Sequence, residues 1–371
     1  MKILSIVGAR PNFMKIAPFA HAIRKCPSVK HVIVHTGQHY DQKMSTSFFE
    51  DLDIPMPDIN LEVGSGSHAQ QTAEIMKRFE PVLLEHKPDV LVVVGDVNST
   101  IACSLVAAKL SIPIAHIEAG LRSFDKDMPE EINRILTDRI TDVFFTTCIE
   151  ANAHLVAEGA AKNRIFFVGN VMIDTLMHNL KRANKSQILS SLHLQPKGYA
   201  LVTLHRPSNV DDKHNLTNIL NAINVIQEKI PVVFPIHPRT KKNFELFGLT
   251  SMVQGMKGLK LVEPLGYLDF LCLTNGAKMV VTDSGGIQEE TTVLKIPCLT
   301  VRENTERPIT IKEGTNVLVG VKTKKIVSEA QKVLSGKAKK GRIPKYWDGK
   351  ASERILNILV SLHNKGKLRV K

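Results

Sequence analysis

Three carboxylates in the first half of the chain lie where they could transfer protons. Asp96 follows the apolar run Val90–Val94. Glu118 follows Ile114–Ile117 in the same way, and Glu130 opens a later helical pattern. Carboxylates that share one cleft repel each other, which raises at least one pKa and separates a general acid from a general base. The three residues therefore indicate proton transfer, although each acid taken alone is also explained as a helix cap or a partner of the helix dipole.

A second segment, Lys278–Glu290 (KMVVTDSGGIQEE), has the pattern of an anion-binding turn. The β-branched run Met279–Thr282 predicts a buried strand, and a helix with acids in its first turn is expected from Ile287. The glycines between them let backbone N–H groups approach an anion, which the helix dipole also attracts. No GxxxxGK[ST] lysine follows, so the segment is not a nucleotide-hydrolysing P-loop. An ordinary strand-to-helix turn capped by Ser284 is the alternative.

Basic residues follow the first predicted strand of each half of the chain. Arg10 and Lys15 come after Ile3–Val7. In the second half, His205 comes after Ala200–Leu204. Cations at the carboxyl end of a strand could bind a phosphate, and a solvated basic turn is the alternative.

Metal ions and nicotinamide cofactors are not predicted. His35 and His39 are four residues apart, as in some zinc sites. That spacing places two ligands on one face only in a helix, whereas this segment is predicted to run from a strand into a glycine turn. The chain contains neither an HExxH motif nor a GxGxxG motif.

Alternating strands and helices are predicted to position these turns. In the first half the expected strands are Ile3–Val7, His31–His35, Val90–Val94, Ile114–Ile117, Val143–Thr146 and Ile165–Val168. After the polar stretch Asn184–Gly198 the expected strands are Ala200–Leu204, Val232–Pro235, Leu259–Val262, Met279–Thr282, Cys298–Val301 and Val317–Val319. Helical patterns between them, such as Phe13–Arg24 and Asn215–Lys229, complete right-handed βαβ units.

This alternation predicts an α/β protein with two Rossmann-like domains facing across a cleft. The N-terminal domain is expected to span residues 1–183 and the C-terminal domain residues 184–350. A helix within 351–371 is expected to pack back across the hinge and belong to the N-terminal domain. Ligands of open α/β sheets bind beyond the carboxyl ends of the strands, so the turns described above are the expected site.

Composition limits the classes of function. The length of 371 residues favours two domains, and 43% apolar with 23% charged residues is typical of globular proteins. The net charge is +13, but the 5% of aromatic residues are not interleaved with basic ones, which disfavours a nucleic-acid partner and suits anionic small molecules. Five scattered cysteines without a CxxC pair predict reduced thiols and a cytoplasmic location. No apolar run approaches the length of about 18 residues needed for membrane insertion.

The turns resemble those of a known family. In chain order from Gly8 to Gly320 the motifs are GARPNFMKIAP, HTGQHYD, VVVGDVNST, HIEAGLRS, PEEINR, TLHRPSNVD, TDSGGIQEE and RENTERPITIKEGTNVLVG. Together they are similar to those of the non-hydrolysing UDP-N-acetylglucosamine 2-epimerases. The resemblance implies the glycosyltransferase-B architecture with a UDP-binding C-terminal domain, a homodimer, no metal and no cofactor. It also implies interconversion of UDP-GlcNAc and UDP-ManNAc through elimination of UDP to 2-acetamidoglucal and re-addition, in a cell that uses UDP-ManNAc for surface polysaccharide or glycan synthesis.

The resemblance also implies roles for individual residues. Asp96, Glu118 and Glu130 are the expected acid/base set, without an assignment of each to one face of C2, and His205 is expected at the leaving diphosphate. The residues expected to bind the substrate are Arg10, Lys15, Ser284, Gly285, Gly286 and Arg307 at the phosphates, Glu290 at the ribose and Phe270 near the uracil. A second site is expected to involve Gln42, Gln71 and His237.

The chain departs from the family pattern in three places. Relatives often read His-Arg-Arg-Glu-Asn where this chain has His205–Asn209 (HRPSN). Gln70 stands where members activated by their substrate tend to have arginine, which leaves allosteric activation by UDP-GlcNAc open. Leu265 is apolar where some relatives place a polar group near uracil. Three alternative functions also stay open: a hydrolysing epimerase that releases ManNAc and UDP, a glycosyltransferase of the same fold, and a sugar-nucleotide sensor without turnover.

Overall fold

The computed structural model describes residues 1–37, 53 and 56–369, apart from the side chain of Arg10. The chain divides into two compact units. Unit 1 comprises Met1–His178 and Lys345–Lys371, and unit 2 comprises Asn179–Pro344. Gln42 and His39 lie outside the described residues.

Unit 1 is built on a parallel sheet. Its strands are β1 (Lys2–Val7), β2 (Lys30–His35), β3 (Ile59–Asn60), β4 (Val90–Val94), β5 (Ile114–Ile117), β6 (Val143–Thr146) and β7 (Ile165–Phe167). They pair in the order β3-β2-β1-β4-β5-β6-β7. Its helices are α1 (Arg10–Arg24), α2 (His68–His86), α3 (Asn98–Lys109), α4 (Pro129–Arg139), α5 (Ile149–Ala157) and α6 (Val171–Ala183), of which α6 ends beyond the unit boundary. A short 3₁₀ turn, Lys162–Arg164, precedes β7.

Unit 2 repeats the same plan with a six-stranded parallel sheet. Its strands are β8 (Ala200–Thr203), β9 (Val232–Pro235), β10 (Leu259–Val262), β11 (Met279–Thr282), β12 (Cys298–Thr300) and β13 (Asn316–Leu318). They pair in the order β10-β9-β8-β11-β12-β13. Its helices are α7 (Ile188–Ser191), α8 (Pro207–Val210), α9 (Lys213–Gln227), α10 (Pro238–Leu246), α11 (Thr250–Gln254), α12 (Tyr267–Gly276), α13 (Gly285–Leu294), α14 (Pro308–Lys312) and α15 (Thr323–Leu334).

Each sheet has one point at which the strand order reverses. In unit 1 this topological switch point lies between β1 and β4, and in unit 2 it lies between β8 and β11. The helices that follow these strands diverge to opposite faces of the sheet, which opens a crevice at the carboxyl ends of the strands. The turns after β1, β4, β8 and β11 are therefore the places where each unit can bind a ligand.

Apolar strands bury both faces of these sheets. All five residues of β4 are buried, as expected of a central strand covered by helices on both sides. On one face, Leu91 and Val93 belong to a core with Phe79 of α2 and Ala102 of α3. A second core in unit 2 combines Val202 of β8 with many apolar residues of that unit. These cores fix the strands whose ends carry the polar turns.

The C-terminal segment returns to unit 1. Trp347 is buried and donates from Nε1 to the carbonyl of Thr147 at 3.0 Å. Asp174 accepts hydrogen bonds from the backbone of Ala351 and Ser352, the first residues of the last helix, α16 (Ala351–Asn364). Burial raises the pKa of Asp174 and these backbone donors oppose the increase, so that the resulting pKa is about 6.

The predicted α/β fold with two Rossmann-like units is confirmed, and solved relatives described below share it. In the described part of the first half there is one strand more than expected. This strand is β3, which has only two residues and therefore shows no periodicity in the sequence. The helix α13 begins at Gly285 rather than Ile287, and no acid lies in its first turn. In the described part of the chain, helices with the length and apolar character of a membrane span are absent.

Candidate functional site

Unit 1 brings two of the predicted carboxylates to its switch point. Asp96 follows β4, and Glu118 follows the neighbouring β5. The Oε2 atom of Glu118 accepts a hydrogen bond from Lys15 Nζ at 2.5 Å, and both side chains are buried. The sequence predicted Lys15 at a phosphate; in the structure its charge pairs with a carboxylate. The phosphate role stays a prediction.

Gly95 lets this ion pair approach the backbone. A Cβ atom on Gly95 would lie 3.0 Å from Lys15 Nζ and 3.7 Å from Glu118 Oε2. Gly95 also has a φ of +70°, which a side chain would strain. Glu118 itself has a φ of +69°, a conformation that costs a residue other than glycine about 1–2 kcal/mol. The surrounding contacts must hold the Glu118 turn in that conformation.

Arg134 holds the second carboxylate and was not assigned a role from the sequence. Its Nε donates to Asp96 Oδ2 at 2.9 Å, and another nitrogen of the same guanidinium pairs with Glu131. Asn133 donates to the main-chain carbonyl of Asp96 at 2.9 Å. Helix α4 therefore orients Asp96 through both its side chain and its backbone. The buried Glu131 accepts from the backbone of the preceding loop.

The third predicted carboxylate lies elsewhere on the same helix. Glu130 is in the first turn of α4 and is exposed, whereas its neighbour Glu131 is buried. A negative charge in that turn also favours the helix dipole. The acid/base role of Glu130 stays a prediction.

The residues expected at a second site are not all described. Gln71 is buried, where it donates to the Gly64 carbonyl at 3.2 Å and accepts from Asn98 at 2.8 Å. His237 caps α10, and its Nδ1 accepts from the Arg239 backbone at 3.2 Å. Partial burial, together with His205 and Arg239, lowers the pKa of His237. Both residues thus have structural hydrogen bonds, and their ligand role stays a prediction.

In unit 2, His205 is paired with Asp283, a buried acid in the predicted anion-binding turn. The sequence predicted no separate role for Asp283. Nδ1 of the half-exposed His205 ring lies 2.9 Å from Asp283 Oδ1. Asp283 also accepts from the backbone of Arg206 and from the side chain of Asn209, at 2.9 and 3.2 Å. Burial would raise the pKa of Asp283, but the hydrogen bond and the charge of His205 hold it below its ordinary value. The pairing fixes the proton on Nδ1 and directs Nε2 away from the acid.

The predicted anion-binding turn lies at the start of α13 and is bordered by a protein carboxylate. A Cβ atom on Gly285 would lie 2.8 Å from Glu306 Oε1. Glu306 is buried and pairs with Arg302 at 2.8 Å and Arg206 at 3.3 Å. Burial would raise its pKa, but Arg307, Arg302 and Arg206 hold it far below its ordinary value.

Arg307 belongs to the same charged cluster as Glu306, Arg302 and Arg206. Its Nε lies 2.6 Å from Glu289 Oε1, and both side chains are buried. Ser284 and Gly286, the other expected phosphate contacts, are partly exposed beside Gly285. The turn therefore offers backbone donors beside a cluster in which three arginines pair with only two carboxylates, Glu306 and Glu289.

The residues expected at the nucleoside lie on two helices of unit 2, α12 and α13. Glu290 is buried in α13, and Tyr267 donates its hydroxyl to Glu290 Oε1 at 3.3 Å. Burial raises the pKa of Glu290. The hydrogen bond from Tyr267 opposes this increase and the charge of Glu289 adds to it, and the resulting pKa is about 7. Phe270 of α12 is partly buried against the core that contains Leu201. Glu290 thus lies near the boundary between its neutral and ionised forms around neutral pH.

One group of described side chains has the composition of a metal site. Possible ligand atoms of His21, Asp53 and His178 lie within 4.8 Å of one another on unit 1. Nε2 of His21 already contacts the main-chain oxygen of Asp53 at 2.6 Å. His35, considered above as a zinc ligand, is not in that group, and burial lowers its pKa.

Comparison with known proteins agrees with the motifs. The model of the UDP-N-acetylglucosamine 2-epimerase family matches residues 21–360. A UDP-N-acetylglucosamine 2-epimerase homolog from Methanococcus maripaludis is 47% identical over 98% of this chain and 100% of the relative. A UDP-2,3-diacetamido-2,3-dideoxy-D-glucuronate 2-epimerase from Pseudomonas aeruginosa is 44% identical over 98% of this chain and 100% of the relative.

A solved structure extends the comparison to the fold. The Methanocaldococcus jannaschii UDP-GlcNAc 2-epimerase, in complex with UDP-GlcNAc and UDP, superposes with a TM-score of 0.88 at 44% identity. The alignment covers 97% of this chain and 100% of that one. The family identification from the eight motifs is confirmed. This chain belongs to the UDP-N-acetylglucosamine 2-epimerase family.

Proposed function

We propose that this protein converts UDP-GlcNAc reversibly into UDP-ManNAc without consuming water. The observation that carries the proposal is the pair of carboxylates at the switch point of unit 1, each held by a cation. Glu118 is held by Lys15 and Asp96 by Arg134. The solved relative that binds UDP-GlcNAc and UDP supports the substrate class.

The proposed reaction has two mirrored steps. In the first, a carboxylate removes the proton from C2, the C1–O bond breaks, a C1=C2 double bond forms and UDP leaves. In the second, UDP oxygen bonds to C1 again while a protonated carboxylic acid delivers a proton to the opposite face of C2. One group must act as a base and the other as an acid, so two differently held carboxylates suit the reaction. Atoms balance because UDP returns to C1 and the proton lost to the base is replaced at C2 by one from the acid. Proton exchange with water then restores both carboxyl groups to their starting states.

Unit 2 is proposed to bind the nucleotide and stabilise the leaving diphosphate. The backbone of Gly285 and Gly286 at the start of α13 supplies donors and the positive end of a helix dipole. His205 is oriented by Asp283 through Nδ1. When its ring carries a second proton, Nε2 can donate to the departing oxygens. Donors fixed in advance stabilise charge as it develops at the leaving group. Glu290 is proposed to bind the ribose hydroxyls.

The experiment that tests the reaction is proton NMR of UDP-GlcNAc with the purified protein in D₂O. UDP-ManNAc with deuterium at C2, and persistent nucleotide sugars, is the expected result. Free ManNAc with an equal amount of UDP would indicate the hydrolysing reaction instead. UDP binding without exchange at C2 would contradict both reactions and favour a sensor. A glycosyltransferase would release UDP only when a sugar acceptor is added.

A second substrate is favoured by one specific comparison. The Pseudomonas aeruginosa relative, named for UDP-2,3-diacetamido-2,3-dideoxy-D-glucuronate, is nearly as similar to this chain as the Methanococcus maripaludis one. The chemistry at C2 would be the same, whereas the C6 carboxylate of that sugar needs a cationic partner. Competition between the two substrates in one NMR sample measures their ratio of kcat/KM and decides which is preferred.

We also propose a cytoplasmic homodimer that supplies UDP-ManNAc to glycan synthesis. The resemblance supports the dimer, and the scattered free cysteines support a reducing compartment. Light scattering of the eluted protein measures the mass and should give two chains. Cell fractionation tests the location, and deletion of the gene should remove ManNAc from surface glycans.

A further inference from the structure

We infer that Asp138 and His116 are positioning residues that hold the two carboxylate-bearing turns of unit 1 in their reactive geometry. The inference deepens the proposed function and rests on Asp96 and Glu118 as the acid/base pair. Neither Asp138 nor His116 is exposed enough to contact a substrate. Their effect would therefore pass through the backbone that they hold.

His116 connects the helix α4 to the turn after β4. It lies on β5, and its side chain is fully buried. Nδ1 lies 2.7 Å from Asp138 Oδ1, and Nε2 lies 2.8 Å from the carbonyl oxygen of Gly95. Both neighbours are acceptors, whereas a neutral imidazole has a single N–H. Both hydrogen bonds together require a doubly protonated ring, whose charge Asp138 balances. The ring thereby fixes the peptide that leads into Asp96.

Asp138 connects the same helix to the turn after β5. Its Oδ2 accepts from the backbone N–H of Gly120 at 3.0 Å and pairs with Arg122 at 2.7 Å. Burial would raise the pKa of Asp138, but His116 and Arg122 hold it below its ordinary value. Gly120 has a φ of +76° and follows Glu118, which has a φ of +69°. Asp138 therefore anchors a turn whose conformation is unfavourable without such contacts.

Glu158 is the fourth charged residue of this cluster, after His116, Asp138 and Arg122. Arg122 donates to both carboxylate oxygens of Glu158, at 2.8 and 2.6 Å, and to the carbonyl of Leu121. Two cations and two anions thus neutralise one another inside unit 1. Because its charges balance and its hydrogen bonds connect all four side chains, the group gives the backbone a rigid support. Its contacts reach both Gly95 and Gly120, the backbone beside the two carboxylates.

A matched buried carboxylate in the same unit provides the control. Asp174 also accepts two backbone N–H groups, those of Ala351 and Ser352. These donors belong to the C-terminal helix and not to the turns of Asp96 and Glu118. Replacing Asp174 therefore tests the loss of a buried carboxylate without loss of positioning.

The test compares Asp138→Asn with Asp174→Asn in the full-length protein. Steady-state kinetics of epimerisation, UDP affinity and urea unfolding are measured for each. We expect Asp138→Asn to lower kcat by about 100-fold, as a displacement of about 1 Å can do, with KM within about threefold. UDP affinity should be unchanged, since UDP is proposed to bind unit 2. Asp174→Asn should lose folding stability but keep kcat within about threefold of wild type.

A second readout follows the backbone directly. Hydrogen exchange of peptides that cover Gly95 and Gly120 should accelerate in Asp138→Asn and not in Asp174→Asn. If Asp138→Asn does not fold, His116→Gln takes its place under the same criteria. The two acceptors are contacted by different ring nitrogens, whereas the N–H donors of glutamine are both on one nitrogen. Failure of both to fold would mean that the cluster is purely structural and would overturn the inference.

The outcomes separate this inference from the proposed function. An active wild type with an Asp138→Asn variant whose kcat stays within about threefold overturns the inference alone. A kcat that falls equally in both variants also overturns it, because that is the result of general destabilisation. A wild type that exchanges no deuterium at C2 of either substrate overturns the proposed function and the inference with it.

Discussion

Lys15 Nζ lies 2.5 Å from Glu118 Oε2, and both side chains are buried at the carboxyl edge of the unit 1 sheet. The cation comes from α1 and the acid from the turn after β5, 103 residues apart in sequence. Removing one partner of a buried ion pair destabilises the folded protein far more than removing both. Lys15 thus supports the charge and the conformation of the proposed catalytic acid.

Lys15→Met should destabilise the protein more than the double variant with Glu118→Gln. Loss of one partner from a buried pair costs about 3–5 kcal/mol, while replacing both removes the uncompensated charge. Urea unfolding of the two single variants and the double variant measures this coupling. The same variants test the sequence-based role of Lys15: unchanged UDP affinity in Lys15→Met would contradict a phosphate contact. Additive stability losses would contradict the coupling itself.

Arg134→Gln should lower kcat while UDP binding persists. The guanidinium orients Asp96 through Nε and also holds the buried Glu131. Without it, Asp96 loses a charged hydrogen-bond partner, and we expect kcat to fall by about 10–100-fold. Arg342→Gln, which removes an exposed ion pair with Glu313, serves as the control and should leave kcat unchanged. Equal activity of the two variants would show that Arg134 does not position Asp96.

The elements beneath these residues were predictable because central parallel strands leave near-continuous apolar runs. Val90–Val94 and Met279–Thr282 were predicted with the bounds that the structure has. Asp96 and Glu118 were then identified because they follow such strands, where open α/β sheets bind ligands. The short strand β3 has no such signal, and it was missed.

The partners of the site residues were not predictable in the same way. Asp283 is 78 residues from His205, and Asp138 is 22 residues from His116. A single sequence shows which element carries a residue, but not which side chain of a distant helix will meet it. Arg134 was seen only as part of a helical pattern for the same reason.

Glu306→Gln should change how stability depends on acid pH. Burial opposes ionisation of Glu306, but the neighbouring arginines hold its pKa far below its ordinary value of 4.5. Below that ordinary value the unfolded chain binds the proton while the folded chain does not, so Glu306 loses its stabilising effect as pH falls. Between about pH 5 and pH 3, wild type should lose about 2 kcal/mol more than Glu306→Gln. Urea unfolding at several pH values measures the difference, and parallel curves would contradict the arrangement of charges.

Glu290→Gln should have the opposite pH signature. Burial raises the folded pKa of Glu290 from 4.5 to about 7, so the folded chain holds the proton more tightly than the unfolded chain. The neutral carboxyl therefore stabilises the folded state fully below its ordinary pKa of 4.5. This stabilisation is lost as pH rises through the folded pKa of about 7. Wild type should therefore lose up to about 3 kcal/mol between about pH 5 and pH 8, and Glu290→Gln should not.

Tyr267→Phe is the matched test of the same carboxyl. The Tyr267 hydroxyl donates to Glu290 and lowers the Glu290 pKa, so its removal should move the loss of stability to higher pH. UDP affinity adds a functional readout, because a ribose-binding carboxylate accepts hydrogen bonds best when ionised. Wild-type affinity for UDP should rise from about pH 6 to pH 8, and Glu290→Gln should bind more weakly without that rise. If Glu290→Gln bound UDP as tightly as wild type throughout, Glu290 would be a buried structural acid and the ribose contact would have to come from another residue.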